Sequence, residues 1–307
     1  MSVLSITGLN KQIGNHRILK NIEFDVKEQE IVGFLGPNGS GKSTTIKCIC
    51  GLYHMTSGKI LINGADVTTK RKEALSALGA SIESPSLYPQ LTGRDHLKLM
   101  GRWRKVSRER VKEMEEYTGL GVHLDKLTNG YSMGMKMRLM LAMTLLAKPK
   151  LIILDEPTNG LDPQAVFELR EQMEAIRREG SSILFSSHQL GEVEKLADRV
   201  VILDQGEKVY DGIIPTHLMR GLEYHLQVSD VQRAIEQLSG EVGKEIRVLE
   251  KGDGWIALTI ESKEQFNQMI SSLQSNQISV YDIIKCEANL EDFYKTIYER
   301  SGSNDKE

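Results

Sequence analysis

The chain has 307 residues, enough for one large domain or two modest ones. Hydrophobic residues make up 40% and charged residues 26%, the balance of an ordinary globular protein rather than a disordered or fibrous one. A formal net charge of -3 gives no electrostatic case for a nucleic-acid partner, and three cysteines (Cys48, Cys50 and Cys286) do not make a disulfide framework and fit a reducing compartment.

The opening residues, MSVLSITGLNK, carry neither the basic segment nor the apolar core of a signal peptide. No apolar stretch approaches the ~18 residues that a membrane helix needs, so any passage through a membrane must come from another chain. Short apolar runs at residues 4–7 and 22–26 predict strands, and the continuous run Ile31-Val32-Gly33-Phe34-Leu35 predicts a buried one. That run feeds Gly36-Pro37-Asn38-Gly39-Ser40-Gly41-Lys42-Ser43-Thr44, which fits the phosphate-loop pattern GxxxxGK[ST], and a helix is predicted over 44–51. Glycines let such a loop turn its N–H groups inward around a β-phosphate, and the helix N-terminus adds partial positive charge. Lys42 would reach the β- and γ-phosphates, and the Ser43 hydroxyl would ligate Mg²⁺. Cys48 and Cys50 stand two apart on the predicted helix and point to different faces, which argues against zinc.

Ile60-Leu61-Ile62 followed by Asn63-Gly64 predicts a hairpin. Residues 87–147, rich in Leu, Met, Lys, Arg and Glu at helical spacing, predict a helical insertion. Within it, Arg102-Trp103-Arg104-Lys105 has no wider basic field around it and reads as a solvated helix end rather than a nucleic-acid site. Trp103 either packs inside the insertion or faces a partner. Tyr131-Ser132-Met133-Gly134-Met135 predicts the start of a further helix.

Tight apolar runs return at 151–154, 182–186 and 200–203, separated by helical segments in the rhythm of a parallel sheet. The first ends in Asp155-Glu156, at the sheet edge where a phosphate site needs carboxylates. Asp155 would bind Mg²⁺ directly or through water, and Glu156 would polarise the attacking water. A turn-rich segment, Pro157 to Pro163, follows. Leu184-Phe185-Ser186-Ser187-His188 then sets a histidine at another strand end, within reach of a γ-phosphate. After Gly212 the expected order is strand 224–228, helix 231–238, strands 245–249 and 255–260, helix 263–273, strand 280–286 and helix 290–298. That βαββαβ order is compatible with a ferredoxin-like unit. Residues 301–307 are expected to fray.

Together the phosphate loop, Asp155-Glu156, the Asp162 loop and His188 resemble the ATP-binding subunits of ABC transporters, with specific motifs over residues 1–215. A weaker likeness continues to the C-terminus, where Ala288-Asn289-Leu290-Glu291-Asp292-Phe293 looks like a closing motif of exporter-type ATPases. The expected fold is therefore α/β: a P-loop ATPase domain over 1–215 with a helical subdomain at about 87–147, and an accessory α/β domain over 222–300. The resemblance implies ATP and Mg²⁺ held between two head-to-tail copies, with Ser132 and the Gly134 N–H capping the γ-phosphate. It also implies a membrane-spanning permease partner and a peripheral position on the cytoplasmic face of the membrane.

Three departures stand out. The usual LSGGQ segment is Tyr131-Ser132-Met133-Gly134-Met135 here; Met133 brings a Cβ that restricts the backbone, and Met135 lacks the amide of glutamine. The segment is similar to the variant in bacitracin-type and lantibiotic self-protection exporters. The family's metal-linking glutamine maps to Glu83, whose charge either tightens Mg²⁺ or repels the γ-phosphate. The aromatic ring that usually stacks on adenine maps to Ile13, which offers apolar contact without a ring face and implies weak or base-tolerant nucleotide binding. The cargo implied is an antimicrobial peptide or similar amphiphile, exported. The alternative is a soluble ATPase of the same kind acting as a mechanical or regulatory switch without transport.

Overall fold

The continuous apolar runs lie side by side in one sheet, because only a strand covered on both faces needs to be apolar throughout. The computed structural model describes residues 1–82, 87–214, 222–241, 248–260, 263–286, 290 and 293–294. Its contacts divide the chain into two units, Met1–Ile213 and Ile214–Glu307.

The first unit holds two sheets. Strands β1 (Ser2–Ile13), β2 (His16–Lys27), β4 (Ser57–Ile62) and β5 (Ala65–Asp66) form an antiparallel sheet in the order β2-β1-β4-β5. The other sheet contains β3 (Ile31–Leu35), β6 (Leu78–Ser81), β7 (Leu151–Leu154), β8 (Ser182–Ser186), β9 (Arg199–Asp204) and β10 (Glu207–Ile213), in the order β10-β9-β3-β8-β7-β6. It is parallel from β9 to β6, and β10 closes one edge antiparallel. Every residue of β3, β7 and β8 is buried. Apolar side chains from both sheets share one core, with Phe24 and Phe34 in ring contact at 5.4 Å.

Two predicted strands are longer than expected. The runs at 4–7 and 22–26 belong to strands of twelve residues each. Register shifts along the β1–β2 pair break the alternation that would have marked their ends. Strand β6 has no counterpart among the expected strands. Its Leu-Gly-Ala-Ser sequence has little strand propensity, and parallel pairing with β7 holds it. The Asn63-Gly64 turn joins β4 to β5 with both residues at positive φ, as a two-residue hairpin loop requires.

Helix α1 (Lys42–Ile49) follows β3, and α2 (Arg71–Ser76) precedes β6. The helical insertion comprises α3 (Gly93–Arg104), α4 (Arg108–Tyr117) and α5 (Met133–Leu145). Side-chain caps start all three: Thr92 in a capping box with Asp95, Ser107 and Ser132. Buried His96 ties the insertion to the preceding loop; its Nδ1 donates to the Thr92 carbonyl at 2.8 Å, and its Nε2 accepts from the Tyr88 N–H at 2.9 Å. Trp103 is 63% exposed, so of its two expected roles packing inside the insertion is excluded. Helices α6 (Pro163–Arg178) and α7 (Leu190–Leu196) connect β7, β8 and β9.

The second unit runs β11 (Leu222–Val228), α8 (Val231–Glu241), β12 (Val248–Gly252), β13 (Trp255–Ile260), α9 (Lys263–Ser275) and β14 (Val280–Cys286). The sheet order β12-β13-β11-β14, antiparallel throughout, is that of a ferredoxin-like βαββαβ unit. Leu226, Leu238, Ile256, Leu258, Met269 and Leu273 fill its core. The expected strand at 245–249 overlaps β12 only at residues 248–249, and residues 245–247 lie outside the described ones. Most of the motif at 288–293, and most of the helix expected over 290–298, also lie outside them.

Candidate functional site

Parallel strands carry their C-terminal ends to one edge of a sheet. Here β3, β8 and β7 are adjacent, so Gly36, Asp155, Glu156 and His188 all emerge along that edge. The loop after β3 turns at Gly36, φ 149°, where a Cβ would collide with the Leu203 carbonyl oxygen and the Ser40 hydroxyl. Pro37, Asn38 and Gly39 are exposed, whereas Ser40 is buried and its hydroxyl has no hydrogen-bond partner. Gly41, φ 106°, precedes α1 without a side-chain cap, so the first-turn N–H groups remain open to an anion.

Lys42 lies buried at the start of α1, and its ammonium donates to the carbonyls of Gly36 at 2.7 Å and Pro37 at 3.2 Å. Burial pushes its pKa below the usual amine range, and the charges of Glu156 and Asp155 pull it back up. Ser43 is exposed on the first turn, beside half-buried Thr44.

The carboxylates are held by β8. Buried Ser186 donates its hydroxyl to Asp155 Oδ1 at 2.6 Å and accepts the Glu156 N–H at 2.9 Å. Glu156 has φ 52°, a left-handed conformation that costs a non-glycine residue about 1–3 kcal/mol. Its carboxylate Oε2 lies 2.8 Å from Nδ1 of His188. The hydroxyl of exposed Ser43 and the Asp155 carboxylate, with one oxygen committed, are hard donors of the kind that suits Mg²⁺, which keeps several of its own waters.

A second group gathers elsewhere on the chain. Ser132 caps α5 by accepting the Met135 N–H at 3.3 Å, and Gly134 lies in the first turn. The place of a Cβ on Gly134 is 3.4 Å from the Ala165 Cβ, and that on Gly160 is 3.6 Å from Met133. Asp162 caps α6, accepting the Ala165 N–H at 2.8 Å. Met133 opens α5 without a positive φ, so the backbone restriction expected from its Cβ costs nothing there. Tyr131 is buried and donates to the His123 carbonyl at 2.6 Å. Ile13 ends β1 at the tip of the β1–β2 hairpin and is 47% exposed. Glu83 lies outside the described residues.

A family model described as "ABC transporter" matches residues 19–159. An uncharacterized ABC transporter ATP-binding protein of Bacillus subtilis (strain 168), YdbJ, is 38% identical over 292 residues, 94% of this chain and 93% of that protein. The chain belongs to the ABC transporter family. The bacitracin transport ATP-binding protein BcrA of Bacillus licheniformis is 35% identical over 300 residues, 95% of this chain and 96% of its own length. A solved structure described as the ATP binding subunit of an ABC transporter superposes with a TM-score of 0.65 at 27% identity, covering 88% of this chain and all of that one. This chain is thus an ABC ATP-binding subunit, an ATPase coupled to transport and a partner of membrane permease components. Among the described residues no helix is long and apolar enough to cross a membrane.

Ser186 does not stand out in the sequence. Its one signal is position: a polar residue ending an apolar strand, where the other strand of the site ends in carboxylates. Arg199, equally unmarked, is half-buried among Asp25, Glu30 and Asp211 and pins β9 to β2 and β10.

Proposed function

We propose that this subunit hydrolyses ATP to drive export of a peptide antibiotic or similar amphiphile, protecting the cell that carries it. Two copies close head to tail around two nucleotides, peripheral to the membrane on its cytoplasmic face and seated on the permease. The loop from Gly36 to Thr44 cradles the phosphates. Lys42 trades its carbonyl contacts for the β- and γ-phosphates, which are better partners for a buried ammonium. Ser43 and Asp155 hold Mg²⁺, with Glu83 as a further ligand. Bound there, the ion neutralises charge on the phosphate oxygens. Glu156 accepts a proton from the attacking water, and His188 orients Glu156. Ser132 and Gly134 of the opposite copy lid the γ-phosphate, Asp162 lies at the seam, and Ile13 lies against the base.

The observation that carries the cargo reading is likeness to the bacitracin transport protein along 95% of this chain, accessory unit included. The hydrolysis roles rest on the clasp between His188 and Glu156 beside the phosphate loop. Glu156→Gln should bind ATP, lose turnover and accumulate as a two-copy complex in light scattering. Turnover at the wild-type level would remove Glu156 from the role of base. For cargo, co-expression with the cognate permease in a sensitive host should raise tolerance to bacitracin or a lantibiotic. Tolerance equal to that of the Glu156→Gln control for all such peptides would overturn the export reading.

A further inference from the structure

Two consecutive carboxylates just after β7 are gripped by the last residue of β8 and by a residue two further on. His188 takes the Glu156 side chain, and Ser186 takes both the Asp155 carboxylate and the Glu156 backbone. We infer that Ser186 is a positioning residue for the metal: its hydroxyl sets the Asp155 carboxylate so that one oxygen remains directed to Mg²⁺. The inference rests on Mg²⁺ binding at Asp155, as proposed above.

The geometry leaves the hydroxyl little else to do. Ser186 is fully buried, so bulk water does not compete for its hydrogen bonds. Its single proton is committed to Asp155 Oδ1 at 2.6 Å, a short distance typical of a hydroxyl bonded to a carboxylate. One lone pair takes the N–H of Glu156, the residue held at φ 52°. One side chain thus fixes the carboxylate plane of Asp155 and the unusual backbone turn that follows it. Without the hydroxyl, Asp155 Oδ1 loses its donor and the carboxylate is free to rotate about its last torsion. Groups that orient a metal ligand in this way commonly account for 10- to 100-fold in metal affinity.

The same strand supplies a control. Ser182 is equally buried, and its hydroxyl has no hydrogen-bond partner. Ser182→Ala should therefore match wild type throughout.

The experiment measures Mn²⁺ binding to the protein–nucleotide complex by electron paramagnetic resonance, using a non-hydrolysable ATP analogue, beside the Mg²⁺ dependence of turnover. Ser186→Ala should weaken Mn²⁺ about tenfold or more and raise half-saturating Mg²⁺ to the same degree. Analogue affinity in EDTA should stay within about twofold of wild type, since the phosphate loop is untouched. Ser186→Cys puts a slightly larger side chain with a poor donor at the same place and so leaves no cavity; it should fold and share the metal defect. Metal affinity unchanged in Ser186→Cys, whatever happens to turnover, would overturn the inference. A wild-type protein whose analogue complex takes up no Mn²⁺ would instead overturn the Mg²⁺ assignment itself.

Discussion

Nδ1 of His188 lies 2.8 Å from Oε2 of Glu156. A carboxylate only accepts, so the imidazole proton sits on Nδ1 and Nε2 faces away from the pair. The His188 side chain is 58% exposed and that of Glu156 25%, so the pair lies at the mouth of the site. Before nucleotide arrives, His188 is therefore a partner of the carboxylate. A phosphate contact through Nε2 then requires either a second proton on the ring or release of Glu156.

Removing the imidazole should consequently affect turnover more than binding. His188→Ala is expected to lower the rate of phosphate release by about a hundredfold, the scale of a misplaced general base, with nucleotide affinity within about threefold of wild type. His188→Asn, whose amide can restore a donor to Glu156, should recover part of the rate. Equal losses in both variants would place the role of His188 on the phosphate rather than on Glu156.

The site is legible in the sequence to the extent that it hangs on strand ends. Gly36, Asp155 and His188 each stand at or just after an apolar run that must be covered on both faces, and parallel pairing brings those ends to one edge. What escapes is whatever depends on a distant partner. Ser186 is an unremarkable serine until Asp155, 31 residues earlier, is seen against it. Strand β6 escapes because Gly79-Ala80-Ser81 lacks strand formers. The glycine is there since a Cβ would press on Thr144 and Pro149. In the accessory unit, alternation marks β11 and β13.

The cysteines make a pH prediction. Burial pushes the Cys48 thiol up to about 11, with Lys11 opposing. Burial, and then the Asp155 charge, push the Cys50 thiol up to about 12. A thiol raised in the folded state favours folding below its unfolded value of about 8.5, and that contribution is lost as pH climbs toward the folded values. Stability should therefore fall between about pH 8.5 and 12, and Cys48→Ala/Cys50→Ala should flatten the fall. At pH 8 neither thiol should react with iodoacetamide until the chain unfolds, which peptide mass spectrometry would show. Rapid native labelling of Cys50 would contradict its burial.

Ile13 tests base recognition. At the hairpin tip it presents an exposed aliphatic side chain, which the proposed function sets against the base. ATP and GTP should bind within about threefold of each other, and Ile13→Tyr should tighten ATP about 2- to 12-fold, the worth of one aromatic stack. Fluorescence titration of both nucleotides decides it. No gain from tyrosine would mean that the base lies elsewhere.

Ser132 carries two expectations that its own hydrogen bond allows to be separated. As the cap of α5 it accepts the Met135 N–H, and losing a serine cap costs about 1 kcal/mol. In a unit of this size that should lower the melting temperature of Ser132→Ala by about 2–4 °C. As a γ-phosphate contact it matters for another reason: the hydroxyl can donate to an anion, which alanine cannot. Aspartate distinguishes the two, since it caps a helix as well as serine but repels phosphate. Ser132→Asp should melt with wild type and yet lose turnover at least as severely as Ser132→Ala. If Ser132→Asp hydrolyses ATP normally, Ser132 only starts a helix, and the lid over the γ-phosphate must be built from other residues.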